Sequence, residues 1–254
     1  MPDPFDTVKL QVLVMGYHHR WADMQPSLGI EDIEVVKTFP IRNPETGRIS
    51  RTWRGLAKLD KVYAGHIVEH KTTSQDIGPG ATYWQQLAID DQCSYYWDAV
   101  DFELEGVIYD VVHKPGLKPL KCTPPDKRRY TAKGHLYANQ RDVDETPDEY
   151  MARLTTHVAT NPDLYYARVT IVRLEEELIE AREDIWWTAK DLHRCKTRGK
   201  FPKNPGSCMK WNRLCDYFEV CSKRADINDD LRFRSAASKH EEYSAEELAC
   251  LTTE

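Results

Sequence analysis

Asp60, Glu69 and Lys71 are the residues whose types and spacing could do chemistry here, within the stretch GLAKLDKVYAGHIVEHKTT, Gly55 to Thr73. Side chains alternate faces along a strand, so Glu69 and Lys71 of a Glu-x-Lys triplet project from one side. If Ala64-Gly65 is a two-residue hairpin loop, Tyr63 pairs with His66 and Asp60 falls opposite Glu69. Directly opposed residues lie about 4.5–5.5 Å apart at Cβ. Two carboxylates that close repel unless a cation sits between them. With the carbonyl of His70 as a third oxygen, the set suits Mg²⁺ or Mn²⁺. An ammonium beside it, from Lys71, can orient an attacking water or take up charge that develops on a phosphate. Glu-x-Lys alone is a weak signal, and an ordinary surface charge cluster would share it. The aliphatic residues Leu59, Val62, Ile67 and Val68 around the carboxylates argue for a half-buried hairpin instead.

The elements that must position these groups are legible in outline. Phe5 to Met24 is helical in pattern, and Ile33 to Ile41 reads as a strand closed by the turn signal Asn43-Pro44-Glu45-Thr46-Gly47. Thr52 to Tyr63 and His66 to Thr72 make the hairpin, Thr82 to Val100 reads as one helix, and Gly106 to Val112 as a buried strand. Thr146-Pro147-Asp148-Glu149 carries an N-cap, a proline at the first helical position and a capping-box glutamate. Pro162 to Lys190 reads as one long amphipathic helix, followed by a cysteine-rich segment. The expected organisation is a core over residues 1–113, a basic Pro/Lys-rich connection over 114–145, a C-terminal helical part over 146–224 and an acidic tail over 225–254.

Composition narrows the class. At 254 residues, 41% hydrophobic and 30% charged, the chain is long enough to bury a core without disulfides. It contains no run of 18 apolar residues, so no membrane helix is expected. The opening MPDPFDTVKL lacks a basic and an apolar signal region, and its seven cysteines then point to a reducing, cytoplasmic setting. The formal net charge of −6 is unevenly spread: Ala225 to Glu254 carries −5 of it. Lys114 to Lys133 holds seven basic residues against one acid, and Lys190 to Arg224 holds ten against three. Such local surfaces can bind a phosphate backbone whatever the total charge, and Lys114, Lys127, Arg128 and Arg129 are the candidates. Solvated loops would have the same composition.

Gly55-x-x-x-x-Asp60, Glu69-His70-Lys71-Thr72 and a helix carrying Gln92-x-x-x-Tyr96 resemble, in that order, the PD-(D/E)XK nuclease superfamily in its RecB-like exonuclease branch. The wider run GYHHRW, EHKTT, YWQQLAIDDQCSYYW, GVIYDVVHKP and CDYFEVC is similar to phage-type members over most of residues 8–221. The resemblance implies an α/β (α+β) restriction-endonuclease-like core, a mixed central sheet flanked by helices, with a C-terminal helical, cysteine-containing subdomain. It implies Asp60 and Glu69 as metal carboxylates, Lys71 as the catalytic lysine, and Gln92 and Tyr96 as the helix motif that engages substrate. Residues four apart share a helix face, which is compatible with that last role. The family often carries a metal-binding histidine on its first helix, for which His18 is favoured over His19.

Several RecB-like nucleases staple their C-terminal segment with a 4Fe–4S cluster; CDYFEVC resembles the end of that pattern, with Cys208, Cys215 and Cys221 as ligands and Cys195 as a substitute for the fourth. Two departures stand out. No cysteine precedes Cys93 to act as the usual upstream ligand, and six residues separate Cys208 from Cys215 where two are typical. Iron–sulfur, zinc and free thiols all remain open on spacing. The expected function is a Mg²⁺- or Mn²⁺-dependent DNA exonuclease of phage-type recombination or repair, with DNA and a single-strand annealing or other recombination protein as partners. The alternative is a catalytically silent DNA-binding or adaptor module of a recombination or CRISPR-adaptation complex. The sequence sets neither oligomeric state nor strand polarity.

Overall fold

The computed structural model describes residues 3–23, 30–210 and 213–234. A five-stranded sheet runs in the order β1 (Ile30–Arg42), β2 (Ile49–Tyr63), β3 (His66–Thr73), β4 (Gly106–His113) and β5 (Tyr166–Ile171). β2 and β3 are antiparallel, β3 and β4 parallel, and β4 and β5 antiparallel. The sheet is therefore mixed and, flanked by helices, gives an α+β architecture.

The β2–β3 hairpin forms as its sequence dictates. Ala64 and Gly65 have φ of 41° and 75°, the two positive values of the tight turn whose twist suits a hairpin, and Tyr63 pairs with His66. Lys61 pairs with Val68 and Val62 with Ile67; the paired rungs end there, one residue short of Asp60 and Glu69, and the Asp60 side chain takes the His70 N–H instead.

Helices cover both faces of the sheet. On one face lie α1 (Pro4–Arg20) and α4 (Pro147–Thr160), which bury Val8 and Val12 against Tyr150, Leu154, Val158 and the β5 residue Tyr166. The Tyr166 hydroxyl donates to the Leu13 carbonyl at 2.9 Å. A Cβ at Gly16 would collide with that hydroxyl and approach Val158 to 3.0 Å, so α1 can seat here only with a glycine in the GYHHRW run. The capping box of α4 is present: Thr146 Oγ1 accepts the Glu149 N–H, and Glu149 accepts the Thr146 N–H at 3.0 Å. A cap of this kind contributes about 1 kcal/mol. On the other face, α3 (Asp91–Ala99) buries Cys93 and Tyr96.

Three expectations are corrected. The helix expected over Thr82 to Val100 is broken into α2 (Thr82–Gln85), a 3₁₀ turn over Gln86–Ile89, and α3. The break is at Asp90, extended at φ −79° and ψ 115°, whose side chain caps α3 by accepting the Cys93 N–H. The helix expected from Pro162 begins only at Glu175, as α5 (Glu175–Arg198). Ahead of it come a single 3₁₀ turn at Pro162–Leu164 and then β5. The YARVTI segment has the aromatic and β-branched residues that suit a pleated surface, and β4 supplies its partner. The first helix stops at Arg20, where the Trp21 N–H reaches back to the Tyr17 carbonyl; Met24 lies outside the described residues.

By contacts the chain forms two compact units, Met1–Phe39 with Leu56–Leu178, and Pro40–Gly55 with Ile179–Glu254. The connection over 114–145 and α4 fall in the same unit as β3, β4 and β5. The second unit holds a two-stranded hairpin, β6 (Met209–Lys210) and β7 (Arg213–Leu214), followed by α6 (Phe218–Cys221). Residues 235–254, most of the acidic tail and Cys250 among them, lie outside the described residues. No described helix is long and apolar enough to cross a membrane.

Candidate active site

β3 is an inner strand of the sheet, and α3 on one face and α1 on the other cover most of its side chains. Glu69 is 3% exposed, an unusual burial for a carboxylate. Three donors hold it. Gln92 Nε2 donates to Glu69 Oε1 at 3.0 Å, the Tyr96 hydroxyl donates to Oε2 at 2.7 Å, and the Lys71 ammonium forms a short ion pair with Oε1. The ring closes on itself: Lys71 Nζ donates to Gln92 Oε1 at 3.0 Å, and Gln92 Nε2 to the Tyr96 oxygen at 2.6 Å. Four residues singled out from the sequence, two on β3 and two one turn apart on α3, are thereby one network.

Burial, then the hydrogen bond to Glu69 and the charges of Glu69 and Asp60, push the Tyr96 phenol well above its ordinary range. It therefore acts as a neutral donor that fixes the carboxylate. Asp60, half-buried on β2, accepts the His70 N–H at 2.8 Å through Oδ2. Beyond the Lys61–Val68 rung, a side chain thus ties the two strands together. A cleft of about 540 Å³ opens beside the network, lined by Lys71, Tyr83, Gln86, Ile89, Asp91 and Gln92.

No protein-family model matches this sequence, and no curated protein is significantly similar to it. The chemistry has to be read from the side chains.

A carboxylate has about four acceptor positions. Glu69 uses three of them, on Lys71, Gln92 and Tyr96, and Asp60 keeps Oδ1 beyond its bond to His70. By count one acceptor position on Glu69 and one oxygen of Asp60 remain unused, and carboxylate oxygens are the donor type that Mg²⁺ or Mn²⁺ takes. The His70 imidazole points to the face opposite Glu69, as the neighbouring residue of a strand must, which leaves its carbonyl as the third oxygen on offer, while His18 is exposed on α1. Among the described residues no three His, Cys, Asp or Glu side chains are grouped as a metal centre.

That opposite face holds a cluster the sequence reading missed. Asp110 on β4, 1% exposed, is paired across the sheet with Arg168 on β5, and the guanidinium reaches Asp110 Oδ2 at 2.7 Å. The Tyr17 hydroxyl of α1 donates to the same oxygen, while Arg168 lies 4.1 Å from the centre of the Trp21 ring. Burial and that bond to Asp110 raise the Tyr17 phenol to about 12. His70 Nδ1 lies 3.6 Å from Asp110, and burial lowers the imidazole's pKa, keeping it neutral. One ion pair therefore stands on the face opposite Glu69 and Lys71, beside His70 of the same strand. The clue was present: an aspartate inside the apolar run GVIYDVV needs a buried cation.

A second missed residue is Arg173, 8% exposed, which donates to the carbonyls of Leu87 (2.6 Å) and Asp90 (3.0 Å) and to Ser94 Oγ (3.0 Å). It clamps the break before α3 and so sets where Gln92 and Tyr96 begin.

The basic connection divides by role. Arg128 turns inward, its guanidinium donating to the carbonyls of Thr123 (2.9 Å) and Asp142 (3.0 Å), so it holds the loop together. Lys127 and Arg129 are exposed. Lys114 is exposed too, and its N–H donates to the Thr73 carbonyl at 2.7 Å, fastening the start of the loop to the end of β3.

In the second unit, β6 and β7 bring Cys208 and Cys215 opposite one another, with the Cys215 N–H donating to the Cys208 carbonyl at 2.9 Å. Cys195 on α5 and Cys221 on α6 are not grouped with them. Of the four-thiolate set, this placement joins two. Cys93, by contrast, is fully buried in α3, and burial pushes its thiol up to about 11. Cys122 is exposed.

Proposed function

We propose that this chain is a metal-dependent DNA exonuclease that hydrolyses phosphodiester bonds in phage-type recombination or repair. The observation that carries the reading is the closed network of Glu69, Lys71, Gln92 and Tyr96, with Asp60 on the adjacent strand of the same hairpin. A non-catalytic DNA-binding module has no need of a buried carboxylate held against a lysine beside an open cleft.

Asp60 and Glu69 would hold Mg²⁺ or Mn²⁺, which supplies Lewis-acid charge against a phosphate. Tyr96 and Gln92 fix the Glu69 carboxylate, so its orientation costs nothing at the moment of reaction. The Lys71 ammonium has three hydrogens and gives two to Glu69 and Gln92. The third serves a non-bridging phosphate oxygen, where negative charge grows as water attacks phosphorus. The water oxygen bonds to phosphorus and gives a proton to solvent, and the bond from phosphorus to the 3′-oxygen breaks, that oxygen taking a proton from solvent, leaving a 5′-phosphate and a 3′-hydroxyl. Release of 5′-phosphorylated nucleotides from end-labelled DNA is expected with Mg²⁺ or Mn²⁺, and DNA left intact with both contradicts the proposal.

The Cys208–Cys215 pair supplies two of the four thiolates a 4Fe–4S cluster needs, so the cluster enters the proposal only with Cys195 and Cys221 drawn in to complete its seat. Protein purified without air is expected to contain iron and sulfide. Zinc without sulfide would make the seat a zinc site, and metal-free protein with titratable thiols would remove it.

A further inference from the structure

Within the basic connection, residues 129–137 form a small hairpin of their own. Tyr130 bridges to Leu136, the Tyr137 N–H donates to the Arg129 carbonyl at 3.2 Å, and the Thr131 N–H to the His135 carbonyl at 2.8 Å. Gly134, at φ 79°, closes the turn. Opposed residues of such a pair share a face, so Arg129 and Tyr137 lie side by side, with Tyr130 and Leu136 on the reverse. The first of these faces lines a polar groove of about 880 Å³, together with Lys127, Arg128 and Asn139; Asp126 is its one acid. Its shape is built in advance. Gln140 accepts the Arg129 N–H at 2.6 Å and donates to the Lys127 carbonyl at 3.1 Å, while Arg128 braces the loop from within. Three cations to one acid in a chain of net −6 is a local inversion of charge. Tyr137 keeps 49% of its surface in solvent beside them.

Cations alone would suit any phosphate. The exposed aromatic ring is what narrows the ligand. A duplex offers phosphates and groove edges but no free base face, because its bases stack on each other, whereas a single strand offers base faces and phosphates in alternation. We propose that this groove binds single-stranded DNA, with a base stacked on Tyr137 and the adjoining phosphates on Lys127 and Arg129. Asn139 offers an amide to a base edge. The proposal rests on the nuclease reading for its choice of DNA, and it gives that reading a strand preference. Because Lys114 is fastened to Thr73, two residues beyond Lys71, the groove belongs to a loop that starts at the catalytic end of β3.

The test uses the full chain carrying Lys71→Ala, without divalent metal, and fluorescence anisotropy on two probes. These are a labelled oligothymidylate of about 20 nucleotides, longer than the roughly 4–16 of a typical single-strand groove, and a blunt duplex of equal length. Tyr137→Ala is expected to weaken oligothymidylate binding about fivefold or more, with duplex binding within about twofold, since phosphate contacts alone hold the duplex. Tyr137→Phe, which keeps the ring, should bind as the parent does, and so should Tyr130→Ala on the reverse face. Unchanged oligothymidylate affinity in Tyr137→Ala, or equal losses on both probes, overturns the proposal. If the parent binds the duplex but not the oligothymidylate, this inference fails while the nuclease reading stands. Binding to neither probe sinks both.

Discussion

Lys71→Ala is expected to lower DNA cleavage at least about 100- to 1,000-fold, the cost of removing one donor aimed at charge that develops in a transition state. DNA affinity should stay within about threefold, because the lysine acts on the reacting phosphate and not on the backbone at large. The geometry makes the separation testable. Lys71 is 34% exposed, open enough to meet a substrate, yet two of its three hydrogens are held by Glu69 and Gln92. Lys71→Arg should fail as well, since a planar guanidinium cannot reproduce that pair of bonds and the third hydrogen together. Single-turnover cleavage of labelled DNA, beside anisotropy on the same variant, checks both halves. Cleavage by Lys71→Ala close to that of the parent would remove the lysine from the chemistry.

The second large effect is on stability. Asp110→Ala should cost about 3–5 kcal/mol, because it strands the buried Arg168 guanidinium and takes away the acceptor of the Tyr17 hydroxyl. Arg168→Met should cost a similar amount by leaving Asp110 without its cation. Asp110→Ala combined with Arg168→Met should lose much less than the two single losses added together, since removing both charges leaves neither stranded in the core. Urea denaturation of the four proteins measures this. Near-additive losses, or a loss under about 1 kcal/mol for Asp110→Ala, would mean that the pair is not the hub the geometry makes it.

Local rules carried the sequence reading further than non-local ones. The alternation of a strand placed Glu69 beside Lys71, Ala64-Gly65 set the hairpin register, and helical spacing put Gln92 and Tyr96 on one face. Each needs information from only a few neighbouring residues. β5 was missed because YYARVTIV runs directly into the periodic RLEEELIEARED and borrows its appearance; what makes it a strand is β4, far away in the chain. The same distance hid the partner of Asp110, which is 58 residues further on. The inward turn of Arg173 and Arg128 was hidden for another reason. Charge counting cannot tell whether a guanidinium turns to solvent or to backbone carbonyls, and both turn inward. The second unit offered least, since Cys208, Cys215 and Cys221 lie in or beside elements of only two to four residues.

The central claim, that the Glu69 network cleaves phosphodiester bonds, is tested most directly by digesting 5′- and 3′-end-labelled DNA, single- and double-stranded, with the full chain and with Glu69→Gln. Glutamine keeps the shape of residue 69 but removes the charge that Lys71 and a cation require. With Mg²⁺ or Mn²⁺ the parent chain should shorten the DNA from an end, stop on addition of chelator, and leave 5′-phosphates, while Glu69→Gln leaves the DNA intact. Equal degradation by both proteins, or none by the parent with either metal, would contradict it.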